Sequence, residues 1–136
     1  MGKLIAIDYG TKRVGLAISD VMQIFAFGLT TIETRNLQDY LSTIIEKEKI
    51  VGIVIGDPKT LKNEPQKVKI EIDKFKVIFS KNYPHLPIYD IDERFTSKMA
   101  AKTLVDSGLK KKERQNKALL DEVSATIILQ SYLANK

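Results

Sequence analysis

Apolar positions along the chain change spacing at regular intervals, and the changes mark its elements. Leu4-Ile5-Ala6-Ile7 is a short apolar run ended by Asp8, the signature of a strand. After the turn Gly10-Thr11-Lys12, Val14-Gly15-Leu16-Ala17-Ile18 reads as a second strand, with small Gly15 and Ala17 on one face. Ser19-Asp20 breaks it, and Ile24 to Ile32 reads as a third strand, giving an antiparallel meander. Asn36 then stands where a helix cap belongs, ahead of a stripe of Leu37, Tyr40, Leu41, Ile44 and Ile45. Ile50-Val51-Gly52-Ile53-Val54-Ile55 is apolar throughout, as expected of a central strand covered on both faces.

Residues 62–80 carry two periodicities. Val68, Ile70 and Ile72 alternate with charges, as in a strand; Val68, Ile72, Phe75 and Phe79 lie on one helical stripe. From Gln66 to Ser80 there is no Gly, Pro or Asn to turn a hairpin, and the length suits a crossover between parallel strands, so the pattern predicts a helix. Pro87 to Ile91 reads as a fifth strand. A helix is expected from Thr96 or Ser97 to Val105, closed by Gly108, and a last one from a cap at Asn116 to about Leu133. The order β-β-β-α-β-α-β-α-α predicts one α/β domain over residues 1–136, a mixed sheet with helices on both faces.

Composition narrows the classes. The 136 residues suffice for one core, and the absence of cysteine excludes disulfides and thiolate zinc sites. No apolar run approaches a membrane span and no signal-peptide pattern opens the chain, so a cytoplasmic protein without membrane attachment is expected. The net charge of +5 suits a nucleic-acid partner and equally suits plain solubility.

Three carboxylates carry the candidate chemistry. Asp8 ends the first strand, Glu93 follows the fifth in Asp92-Glu93-Arg94, and Asp121 lies one turn into the apolar last helix. Acids gathered from distant segments beside a core suggest a shared cation, because an unpaired charge there is costly. Each has an ordinary alternative: a turn-capping Asp before Gly10, an ion pair of Glu93 with Arg94, and an acid favoured by a helix N-terminus. Asp90 and Asp92 rival Glu93 on sequence grounds. Lys12, Arg13, Arg94 and the basic run Lys110 to Lys117 could hold phosphates or merely face solvent. His85, between Pro84 and Leu86, reads as a loop residue.

Taken in order, the turn Asp8-Tyr9-Gly10-Thr11-Lys12-Arg13, then Gly15, Ala17 and Ser19, then Gly56-x-Pro58, Asp92-Glu93-Arg94, and Asp121-x-x-Ser124-Ala125-x-x-Ile128-Leu129-Gln130 form a specific pattern. It resembles the Holliday junction resolvase-like family, also described as pre-16S rRNA nucleases, of the ribonuclease H-like superfamily. The resemblance runs from about Lys3 to Leu133. It implies a five-stranded mixed sheet with the first three strands antiparallel. It also implies an acidic triad of Asp8, Glu93 and Asp121 as catalytic residues and metal ligands, taking Mg²⁺ or Mn²⁺, two ions with substrate bound. Lys12, Arg13, Arg94 and Lys117 would contact substrate. The implied activity is endonucleolytic, on precursor 16S rRNA or on branched DNA, the latter calling for a homodimer; a non-catalytic nucleic-acid-binding module is the other reading. The chain departs from the family at Asp57, where an apolar residue is usual, and in the Lys59 to Pro65 loop. An Asp-x-Gly-Thr turn also opens actin-like kinases, but those need two lobes and this chain has room for about one.

Overall fold

The computed structural model describes residues 2–57, 66–92 and 117–135; the side chains at 57, 66 and 117–121 are outside that description. Strands β1 (Lys3–Asp8), β2 (Arg13–Ser19), β3 (Ala26–Glu33), β4 (Ile50–Asp57) and β5 (Ile88–Asp92) form one sheet in the order β3-β2-β1-β4-β5. The pairs β1–β2 and β2–β3 are antiparallel, while β1–β4 and β4–β5 are parallel. Helices α1 (Leu37–Lys47), α2 (Gln66–Asn82) and α3 (Lys117–Asn135) complete the described elements. The mixed sheet with an antiparallel first half is the architecture expected from the sequence. The helix expected after Thr96 lies outside the described residues.

Side-chain alternation on the central strands divides the interior in two. Ile5 and Ile7 of β1, Val14 and Leu16 of β2, and Ile53 and Ile55 of β4 face α1 and α2, where Leu37, Leu41, Ile44, Val68, Ile72, Phe75 and Phe79 meet them. Leu4, Ala6, Ala17 and Val54 face the other way, against Ala125, Ile128 and Leu129 of α3. Three of those seven are alanines, so α3 lies close on the sheet. It crosses the strands. Glu122 near its start lies over Gly28 of β3, and Tyr132 near its end stacks on Tyr89 of β5 with ring centroids 4.9 Å apart.

The ambiguous segment is a helix, and the stripe Val68, Ile72, Phe75 and Phe79 is its buried face; Ile70, which a strand would have shared with Val68 and Ile72, is half exposed. Two boundaries differ from expectation. Asn36 precedes α1, but its side chain makes no capping bond; residues Thr34–Asn36 form a 3-10 turn instead. Thr34 donates from Oγ1 to the carbonyl of Gly10 at 2.6 Å and from its amide to that of Lys12 at 3.0 Å, so the chain is tied to the β1–β2 turn before the helix starts. Ile24 and Phe25 fall in the β2–β3 connection rather than in β3. There Asp20 Oδ1 accepts from the amides of Ile24 at 2.7 Å and Phe25 at 2.8 Å, a local bond that outweighs the strand preference of both residues.

Candidate active site at the carboxyl edge of the sheet

Asp8 is the last residue of β1, opposite Gly15 of β2 and half buried. In open α/β sheets this carboxyl edge is where sites are built. Alternation along β1 places the Asp8 side chain on the same face as Leu4 and Ala6, the face that α3 covers. The helix carrying Asp121 therefore packs on the face to which Asp8 points. Asp121 is the fifth residue of α3, and its side chain lies outside the described part of the structure.

The strand register also separates the rival acids after β4. Ile55 of β4 is level with Ile7 on one side and Asp90 on the other, and Gly56 and Asp57 pair with Ile91 and Asp92. Tyr89 and Ile91 turn toward α3, while Asp90 turns to α2, where its Oδ1 accepts from the Lys76 ammonium. Alternation sends Asp92 to the Asp90 face, away from Asp8. Glu93 and Arg94 themselves lie outside the described residues. Among the described residues no group of three His, Cys, Asp or Glu side chains is placed to hold a metal ion, two of the three predicted acids having no described side chain. Asp8, a carboxylate at a half-buried strand end, is a donor of the type a hard cation takes.

The basic residues of the first turn flank Asp8. Lys12 is exposed and Arg13 half buried, and with Thr11, Glu33 and Arg35 they line one shallow depression. Arg35 was not among the sequence candidates; its Nε lies 2.6 Å from Glu33, across from Arg13 in the β2–β3 register. The spacing Glu33-Thr34-Arg35 after a strand is too common to have marked it. Gly10 allows the tight turn: a Cβ there would lie 2.5 Å from the Arg13 carbonyl oxygen. Lys117 opens α3 with its side chain undescribed, and His85 lies exposed in the loop before β5, as expected.

Behind Asp8, on the opposite face, Tyr9 packs on Phe75 with centroids 5.9 Å apart. Burial and the nearby Glu71 carboxylate push the Tyr9 hydroxyl above its ordinary range, so it stays protonated at neutral pH. Nothing in the sequence pointed to Glu71, which sits on the polar flank of α2.

Comparison with known proteins agrees with the fold. Thermus thermophilus RuvC, solved in complex with a Holliday junction substrate, superposes with a TM-score of 0.61 at 12% identity, covering 98% of this chain and 96% of its own. The fold is thus that of the ribonuclease H-like α/β class. The family model described as "RuvX: Holliday junction resolvase" matches residues 2–135, and the chain belongs to that family. It is 53% identical over 136 residues to a Flavobacterium psychrophilum protein named "Putative pre-16S rRNA nuclease", spanning 100% of this chain and 99% of that protein. A Bacteroides fragilis protein of the same name is 50% identical over the same 136 residues.

Proposed function

We propose that residues 1–136 act as one endonuclease domain that hydrolyses phosphodiester bonds in structured RNA, and that its substrate is the 5′ end of precursor 16S rRNA in the cytoplasm. The observation that carries this reading is identity of about half, over essentially the whole length, to proteins named as pre-16S rRNA nucleases. The strand-end position of Asp8 supports it.

Asp8, Glu93 and Asp121 would hold Mg²⁺ or Mn²⁺ through carboxylate oxygens. When bound, such ions lower the pKa of water and offset charge developing on the phosphate. The chain's own part is positional. Asp8 is fixed by its strand at the sheet edge, and Lys12 and Arg13 bring positive charge to the turn beside it, with Arg94 and Lys117 as further phosphate contacts. Hydrolysis places the oxygen of a water on phosphorus and breaks its bond to the leaving ribose oxygen.

The family description favours one other substrate, a four-way DNA junction, for which a homodimer would be required. The test is to incubate wild type and Asp8→Ala with a labelled precursor rRNA end and with a junction, in Mg²⁺, Mn²⁺ or EDTA. Discrete RNA products that need both Asp8 and metal are expected. Paired symmetric nicks in the junction alone would replace the RNA reading with the resolvase reading. Binding without cleavage of either would leave a nucleic-acid-binding module.

A further inference from the structure

Behind Asp8, on the face of the sheet that α1 and α2 cover, lies a cavity the nuclease reading does not use. Three segments converge on it. α2 contributes Glu71, Lys74 and Phe75, one stripe at helical spacing; the entry to α1 contributes Thr34 and Gln38; Tyr9, the residue after Asp8, comes from the first turn. The cavity holds about 230 Å³, below the roughly 300 Å³ at which sites for drug-sized ligands begin and suited to one planar base. Glu71 Oε2 is shielded from solvent and has no hydrogen-bond partner, the one such side-chain atom among the described residues. Folded proteins satisfy nearly all such atoms, and a buried carboxylate oxygen without a donor is among the costlier exceptions.

The surroundings define the donor that Oε2 lacks. The terminal torsion of a carboxylate is broad, so Oε2 turns into the cavity once a donor enters. Tyr9 and Phe75 supply ring surface, tilted at 44° with centroids 5.9 Å apart, which suits a flat ligand with apolar faces. Lys74 on the same wall opposes a second cation, so the donor is the N–H of a neutral group. Gln38 and Lys74 bring donors of their own for a carbonyl oxygen. Of the four RNA bases, guanine alone matches this set. Its N1–H and 2-amino group stand side by side for a carboxylate, with O6 as the adjoining acceptor. Adenine and cytosine offer one amino group beside an acceptor nitrogen, and uracil one N–H between two carbonyls that a carboxylate repels.

A phosphate has its place beside the base. Thr34 lines the cavity, while its chain neighbours Glu33 and Arg35 line the shallow depression that includes Lys12 and Arg13. Thr34 is bonded to the carbonyls of Gly10 and Lys12, so the first turn fixes cavity and depression to one another. We propose that this cavity takes one unpaired guanine base of the RNA, Glu71 reading its N1–H and 2-amino group while the neighbouring phosphate lies over Lys12 and Arg13. Tyr9 of the cavity wall is joined directly to Asp8, so a base held there selects which phosphodiester bond reaches the sheet edge. The proposal rests on the nuclease reading for its ligand and adds base selection to it.

The test reads binding in EDTA, where no cleavage enters, so the two readings fail separately. The probes are a single strand of uridines with one central guanosine, the same strand with inosine (which lacks only the 2-amino group) or adenosine at that place, and guanosine monophosphate. Wild type is expected to bind the guanosine strand about tenfold more tightly than either other strand, the worth of one charge-assisted hydrogen bond. Glu71→Gln should bind all three strands nearly alike. Asp73→Asn, which removes an exposed carboxylate from the same helix, should keep the preference. Wild type blind to the change from guanosine to inosine overturns the proposal without any variant, and so does a preference that survives Glu71→Gln; precursor cleavage measured beside either result would leave the nuclease reading standing. Tight binding of guanosine monophosphate with no preference in the strand would assign the cavity to a free nucleotide and overturn its place in RNA recognition.

Discussion

At the scale of single residues, three positions decide local structure through backbone contacts that composition does not reveal. Gly10 leaves no room for a Cβ against the Arg13 carbonyl, and that oxygen is main chain, so it cannot swing aside. Gly10→Ala is expected to cost roughly 1–3 kcal/mol and to shift the turn carrying Lys12 and Arg13; urea denaturation measures the first and RNA affinity the second. Ser19 is a buried polar residue of the core, accepting from the Leu4 amide at 2.8 Å and donating to the Asp20 carbonyl at 3.0 Å. Ser19→Ala strands the buried Leu4 amide, for an expected loss of about 1–3 kcal/mol in the same assay. Asp20 is held below its ordinary pKa of 3.8, chiefly by the Phe25 amide and also by that of Ile24. Its unfolded form binds the proton more readily, so its contribution is present above that ordinary value and is lost as pH falls through it toward the lowered one. Asp20→Asn keeps the acceptor and removes the titration. The stability gap between wild type and Asp20→Asn should therefore shrink as denaturation is repeated at falling pH below about 4; a gap independent of pH would contradict the assignment.

At the scale of elements, much of the fold was legible because burial repeats with the period of the backbone. The uniform apolar run of β4 announced a strand covered on both faces, and β4 occupies an interior place in the sheet. α2 was legible only by elimination: its charges alternate like a strand's, and the missing turn residue together with the Phe75 and Phe79 spacing settled it. What escaped was governed by single side chain-to-backbone bonds. Thr34 rather than Asn36 organises the entry to α1, and Asp20 keeps Ile24 and Phe25 out of β3. Exposure of the β3 tip was equally invisible, since the same Phe-rich run would serve a buried strand. Within α2, Phe79 is fully buried between Phe75 and Tyr83, with centroids at 5.8 and 5.1 Å. Phe79→Ala should cost roughly 3–5 kcal/mol, by transfer and cavity together, and calorimetry should show one lowered transition.

For the whole molecule, topology fixes where Asp8 stands and what surrounds it. Parallel pairing of β1, β4 and β5 aligns their carboxyl ends, and alternation then sorts the acids by face: Asp8 toward α3, Asp90 toward Lys76 of α2. The sequence could name Asp8, Asp90, Asp92 and Glu93 but not sort them, because facing depends on register across three strands. Asp90→Asn should accordingly leave cleavage within a few-fold of wild type, while loss at Asp8 abolishes it. The central claim is tested most directly by the rate of precursor 16S rRNA cleavage in Mg²⁺ by wild type and by Asp8→Asn, each first shown to be folded and to bind the RNA. A drop of at least a thousandfold in the variant, with EDTA silencing the wild type, is the predicted result. Cleavage by Asp8→Asn at the wild-type rate would contradict it.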